Sequence, residues 1–106
     1  MESAGCSNKE LVLEKFRLAT PIFQALGDEN RQQIIMLLLE QGRLNVNQIT
    51  ERMELSRPAV SHHLKILRQA GLIGFEKQGN EKYYALSSRE FLKQIKDLCL
   101  AIESDC

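Results

Sequence analysis

Leu55-Ser56-Arg57-Pro58-Ala59-Val60-Ser61-His62-His63-Leu64-Lys65-Ile66-Leu67-Arg68-Gln69-Ala70-Gly71-Leu72-Ile73 carries the signals of a helix with a defined start, a buried face and a defined end. Ser56 is a side-chain acceptor suited to an N-cap, Val60, Leu64 and Leu67 form one apolar stripe, and Gly71 marks a helix end. Just upstream, Asn45 or Asn47 can cap a short helix bearing Ile49 and Met53. A short helix, a tight turn and a second helix make a helix-turn-helix.

Upstream of this pair, Asp28 is a good N-cap for a helix through Ile34-Ile35-Met36-Leu37-Leu38-Leu39 that stops at Gly42. Its apolar residues wrap most of the circumference, as expected of a central core helix. Before it, Val12, Phe16, Ala19, Phe23 and Leu26 recur at helical steps as one apolar stripe. Pro21 falls inside that helix, so a kink is expected, or a restart with Thr20 as N-cap. Downstream, Leu72–Lys77 and Lys82–Leu86 flank Gln78-Gly79-Asn80-Glu81 as a β-hairpin around a Gly-Asn turn. Ser87 and Glu90 have the spacing of a capping box, and Phe91, Ile95, Leu98 and Ile102 stripe a last helix. The expected fold is mainly α with a small β-hairpin wing (α+β): a winged helix-turn-helix of about five helices.

The chain has 106 residues, 43% hydrophobic and 26% charged, which is the size and composition of one globular domain. Its longest apolar run is six residues, Ile34 to Leu39, against the ~20 that cross a bilayer. The N-terminus lacks a signal-peptide pattern, so a soluble, cytoplasmic protein without a membrane partner is expected. Cys6, Cys99 and Cys106 are odd in number and without a CxxC pair, which offers neither a disulfide framework nor a zinc knuckle. Balanced totals of 14 basic and 14 acidic residues hide an asymmetry. Residues 43–89 carry eight basic and four acidic side chains, a net of +4, while the segments before and after are each −2. The middle is therefore the candidate anion-binding part.

The ordered set Leu55–Ile73 resembles the recognition-helix signature of the ArsR/SmtB family of bacterial repressors. Ala25-Leu26-Gly27-Asp28-Glu29-Asn30-Arg31 resembles that family's lead-in to its second helix, and the likeness runs from about Glu10 to Cys106. The resemblance implies a homodimer built through the first and last helices, binding a palindromic double-stranded DNA operator and blocking promoter access. On that basis residues 1–8 are a flexible N-terminal tail and 9–106 a DNA-binding and dimerisation domain. The alternative is a winged helix used as a protein-interaction module without sequence-specific DNA binding.

On a helix turning ~100° per residue, Pro58, His62, Lys65 and Gln69 lie opposite the apolar stripe, with Ser61 on the flank. Gln69 and Lys65 suit base edges in the major groove; Ser56, Arg57, Ser61 and the helix N-terminal amides suit phosphates. His63 lies near the core stripe and is expected to be a packed or hydrogen-bonded structural residue. At the hairpin tip Lys77, Gln78, Asn80 and Lys82 suit phosphate or minor-groove contact, diluted by Glu76 and Glu81. Tyr83 and Tyr84 alternate faces, one toward the core and one on the wing surface.

No phosphate loop, paired catalytic carboxylates or metal-protease spacing is present, so no enzyme and no cofactor are expected. The family's thiolate pair at the start of the third helix is replaced here by Leu44-Asn45-Val46-Asn47, neutral amides in place of soft ligands. Its other common site, on the last helix, keeps only Asp97 and has Cys99 where a His is usual. No metal is therefore assigned, and the inducer stays unknown. Cys6, Cys99 and Cys106 remain as candidate thiol sensors. Cys99 and Cys106 are seven residues apart, about 10.5 Å on one helix, too far to form a bridge within it.

Overall fold

In the computed structural model, which describes residues 5, 8–87 and 89–105, the chain runs α1 (Lys9–Leu26), α2 (Glu29–Gln41), β1 (Leu44–Asn45), α3 (Val46–Glu51), α4 (Arg57–Gln69), β2 (Ile73–Gln78), β3 (Glu81–Leu86) and α5 (Glu90–Asp105). Most of the tail expected over residues 1–8 lies outside the described residues, as do Cys6 and Cys106. Three helix starts are fixed by side-chain caps. Asp28 Oδ1 accepts from the backbone N–H of Asn30 at 2.7 Å and of Arg31 at 3.1 Å. Asn45 and Gln48 close a reciprocal capping box at 2.8 and 2.9 Å, and Ser56 Oγ accepts from Ala59 N–H at 3.3 Å.

The end of α4 delivers the chain to the wing. Gly71 has φ +81°, its N–H donates to the Arg68 carbonyl, and Leu72 N–H donates to the Leu67 carbonyl, each at 3.0 Å. That pair of bonds is a Schellman motif, which needs a left-handed residue where Gly71 stands. Leu72 and Ile73 are thereby turned straight into the core. Strands β2 and β3 pair antiparallel, with Phe75 opposite Tyr84 and Lys77 opposite Lys82. Their two-residue turn is Gly79-Asn80, with φ +64° at Gly79 and no positive φ at Asn80, the pattern of a II′ turn.

One cluster unites the elements: Ile22 and Ala25 of α1, Ile34 and Leu38 of α2, Leu44, Ile49, Met53, then Val60, Leu64 and Leu67 of α4 with Leu72 and Ile73. Ala19, Leu98 and Ala101 are buried outside it, where α1 and α5 pack together.

Several expectations are corrected. α1 is continuous through Pro21, with no restart; the Thr20 hydroxyl donates to the Phe16 carbonyl at 2.7 Å instead of capping. Proline is tolerated because Arg17 and Pro21 both lie on the exposed side, where the carbonyl deprived of an N–H is not buried. The buried face of α1 is Ala19, Ile22 and Ala25, while Phe16 and Phe23 stay exposed. α2 is not covered all round: Ile34 and Leu38 are buried, but Met36 and Leu39 are exposed. Ser87 was expected in a capping box with Glu90; its hydroxyl donates to the Gly71 carbonyl at 2.6 Å, tying the end of β3 to the exit of α4, and at the start of α5 the Arg89 carbonyl accepts from Lys93 N–H. Finally, β1 was not anticipated: Leu44 and Asn45 pair with Tyr84 and Tyr83, giving a sheet of order β1-β3-β2.

Candidate nucleic-acid interface

Every residue expected to meet DNA, Ser56, Arg57, Pro58, Ser61, His62, Lys65, Gln69, Lys77, Gln78, Asn80 and Lys82, is exposed. They do not form a single patch. At ~100° per residue, Arg57, Ser61 and Arg68 share one flank of α4, and Pro58, His62, Lys65 and Gln69 form the outer face. The flank looks at the wing: Arg57, Ser61, Asn80, Glu81, Lys82 and Tyr84 line a groove of about 290 Å³. Gln69 borders a different cleft, with Pro21, Gln24 and Arg31, on the α1 side of the helix. The structure thus joins Arg57 and Ser61 to the wing and separates Gln69 from it.

Alternation along β2 and β3 sorts the wing by charge. Phe75, Lys77, Lys82 and Tyr84 share the face toward α4; the Phe75 and Tyr84 rings are 5.5 Å apart, and Lys82 Nζ stands 4.7 Å from the Phe75 centroid. Glu76 and Tyr83 share the other face, where Arg43 lies 3.9 Å from the Glu76 carboxylate and 4.9 Å from the Tyr83 ring centroid. Glu76 is therefore turned away from the groove and answered by Arg43, so it dilutes the cationic face less than its position in sequence suggests. Glu81, at the turn, still borders the groove. Tyr84 packs on the core and Tyr83 on the outer face, as alternation requires.

The base of α4 is fixed from beneath. Arg31 Nε donates to the Ala25 carbonyl at 2.8 Å and Nη2 to the Gln24 carbonyl at 3.2 Å, while Nη1 lies 3.2 Å from His63 Nδ1. One guanidinium so joins the end of α1, the start of α2 and the flank of α4, and His63 is a hydrogen-bonded structural residue. The Asp28 carboxyl is held below its ordinary value, first by the Arg31 backbone N–H, then by the Asn30 N–H and the Arg31 charge, against an opposing contribution from burial.

The two amides at the start of α3 have structural employment. Asn45 caps the helix, and Asn47 Oδ1 accepts from Arg57 Nε at 2.8 Å, linking the two helices of the helix-turn-helix and aiming Arg57 along the groove. Among the described residues no group of three or more His, Cys, Asp and Glu could hold a metal ion. Cys99 is an exposed free thiol. Sequence reasoning missed Arg68, whose guanidinium carbon is 5.6 Å from the Phe75 ring centroid, and Arg43. The seven-residue step from Ser61 to Arg68 was the available signal.

Comparison with known proteins adds to this geometry. Residues 28–74, from the cap of α2 into β2, match the family model described as bacterial regulatory protein, arsR family. An uncharacterized HTH-type transcriptional regulator of Methanocaldococcus jannaschii is 35% identical over 89 residues, covering 81% of this chain and 100% of that protein. The chain belongs to the ArsR family of regulators. The arsenical resistance operon repressor of Bacillus subtilis is 36% identical, with 79% of this chain and 85% of that protein covered. Among solved structures, HlyU from Vibrio cholerae superimposes with a TM-score of 0.65 at 34% identity, covering 84% of this chain and 95% of that one. The winged helix-turn-helix is thus an ArsR-family fold, and the chain is a transcriptional regulator, not an enzyme. No helix among the described residues is long and apolar enough to cross a membrane.

Proposed function

We propose that the protein is a cytoplasmic, homodimeric repressor that binds a palindromic operator with two recognition helices, α4 of each copy, in successive major grooves. The observation that carries this reading is the groove between α4 and the wing, lined by Arg57 and Lys82 together with Glu81, with Lys77 opposite Lys82 in the ladder and Arg68 at the Phe75 ring; Lys82, Arg68 and Lys77 have no carboxylate partner among the described residues. Cations in excess on the neighbouring surfaces of two elements suit a polyanion. The exposed outer face of α4 is polar, Pro58 apart, which disfavours a protein-interaction module, since that would need an apolar patch there. Dimerisation is supported by the apolar side chains left exposed on α1 and α5. Half-site centres are then expected ~34 Å, or ~10 bp, apart. Repression follows from occlusion of the promoter; among named relatives, Bacillus subtilis has a transcriptional repressor SdpR and Vibrio cholerae a transcriptional activator HlyU.

Selection of bound fragments from genomic DNA, followed by titration of labelled duplexes at several salt concentrations, tests the reading. The expected result is tight binding to a repeated inverted motif with a steep negative slope of log K against log salt. Absence of binding at low salt, or a flat slope, returns the protein-interaction module. Cys6, Cys99 and Cys106 are the candidate thiol sensors, of which Cys99 is an exposed free thiol, and the same titration tests thiol control of binding. Equal operator affinity of the reduced protein, the peroxide-treated protein and a triple Cys→Ser variant excludes it.

A further inference from the structure

Phe75 is an aromatic side chain on the wing, 36% exposed, and three groups from two elements gather round its ring. Tyr84, its cross-strand partner, lies at 5.5 Å, Lys82 Nζ at 4.7 Å and the Arg68 guanidinium carbon at 5.6 Å from the centroid. Lys82 belongs to β3 and Arg68 to the last turn of α4, so the ring is the one group among these that both cations touch. Neither cation has an acidic partner among the described residues, and Lys77 stands directly opposite Lys82 across the ladder. Like charges opposed in this way destabilise a hairpin. The negative face of an aromatic ring offsets part of that cost while leaving the hydrogen-bond donors of both cations unused.

We infer that Phe75 is a positioning residue for DNA binding: it holds Arg68 of the recognition helix and Lys82 of the wing side by side, so that the two engage adjacent backbone phosphates of the same DNA strand. This inference rests on the DNA-binding reading above and extends it to a contact, Arg68, and a coupling between helix and wing. The geometry favours phosphate over base edges. Arg68 lies on the flank of α4 with Arg57 and Ser61, not on the outer face that enters the groove, and phosphate contacts are what fix a protein's register on the duplex. The wing is otherwise joined to α4 at its root, through Leu72 and the Ser87–Gly71 bond. Farther out, the Phe75 ring with its two cations links the wing to the recognition helix.

The test is the salt dependence of operator binding by Phe75→Leu, Phe75→Met, Phe75→Tyr, Arg68→Gln and Lys82→Gln, and by each Gln variant combined with Phe75→Leu. Each phosphate contact contributes ~0.9 to the magnitude of the slope. Because each substitution is present in both subunits of the dimer, Arg68→Gln and Lys82→Gln are each expected to lower it by about twice that amount, ~1.8. Phe75→Leu and Phe75→Met are expected to lower it by about two to four contacts' worth, one or two per subunit, and to weaken binding ~4- to 400-fold, the worth of one or two exposed cation–π contacts in each subunit. Phe75→Tyr keeps the ring and the wild-type slope. In the Leu background, either Gln substitution then has a smaller effect. A merely structural role for Phe75 lowers the melting temperature and leaves the slope and the Gln effects as they were; that outcome overturns the inference. Leu and Met both retain apolar bulk at a part-exposed site, so failure of one variant to fold leaves the other to decide. If the wild type itself binds without a salt slope, the DNA-binding reading has failed instead, and the two failures are thereby distinct.

Discussion

At Asp28 and at His62 single side chains carry separable consequences. The Asp28 carboxylate caps α2 and sits 3.9 Å from Arg31, and its folded-state proton affinity is lowered mainly by the Arg31 backbone N–H. A lowered value means that the charge contributes stability above the unfolded-state pKa, ~3.9 for Asp, and that this contribution is lost as pH falls through the lower folded value. Asp28→Asn keeps a capping oxygen and removes the charge. Its melting temperature should therefore lie below wild type at pH 7 and approach it near pH 3; an equal deficit at both would place the effect in cap geometry alone. For recognition, His62 lies on the outer face of α4 and Lys77 on the wing. His62→Ala should relax preference at particular base pairs, by ~1 to 3 kcal/mol if the contact is direct, whereas Lys77→Ala, which removes one contact from each subunit, should weaken all sequences similarly and flatten the salt slope of the dimer by ~1.8. Competition between operator variants measures both, and uniform loss for His62→Ala would move it to the phosphate class.

Elements whose boundaries are chemical were legible in the sequence. Asp28, Ser56 and the Asn45/Asn47 pair announced three helix starts, and Asp28, Ser56 and, of the pair, Asn45 form the caps; Thr20 shows that the residue type alone does not decide it, because its hydroxyl bonds to the Phe16 carbonyl. The hairpin was legible from its Gly-Asn turn, and the Tyr83/Tyr84 alternation gave its two faces. What failed were inferences that depend on what lies across from an element. Two residues, Leu44 and Asn45, are too few for a strand pattern, so β1 shows only when Tyr83 and Tyr84 are placed beside them. The stripe on α1 gave periodicity but not which residues face this chain's own core, and Phe16 and Phe23 turned outward. Likewise, Arg68 meets Phe75 because the Schellman turn folds β2 back along α4. That turn supports a prediction of its own. A Cβ on Gly71 would meet no atom within 4 Å, so the cost of Gly71→Ala is the left-handed backbone alone, ~1 to 2 kcal/mol. Denaturant titration should show that loss, with operator affinity falling further than stability if the wing is set by this turn; unchanged stability would mean that the motif opens freely.

For the whole molecule, one copy leaves a great deal of apolar surface uncovered along α1 and α5. α1 exposes Leu11, Leu13, Phe16, Leu18 and Phe23, between 39% and 48% each, and α5 exposes Leu100 at 56% and Ile102 at 41%. These two helices pack against each other, with Ala19, Leu98 and Ala101 buried where they meet. Large apolar side chains left exposed on a packed helix pair suit an association surface. A second copy covering it is the proposed dimer, and the consequence for DNA is quantitative. Two recognition helices on a rigid pair bind a two-half-site operator with the second contact made nearly intramolecular, a gain of ~10² to 10⁴ over one helix alone. Phe16→Glu or Leu100→Glu places a charge on a side chain already exposed in the single copy, so the fold of each subunit should survive while the seam does not. Sedimentation at micromolar concentration should show the mass halved, and the melting temperature should lose its dependence on protein concentration. Operator affinity should fall ~10²-fold or more and the salt slope should drop to about half, because one subunit neutralises half the phosphates. A variant that stays dimeric would show that the seam lies elsewhere, with the exposed Met36 and Leu39 of α2 as the next surface to charge. One that becomes monomeric yet keeps its affinity would show that a single wing and helix suffice, and the palindrome would lose its reason.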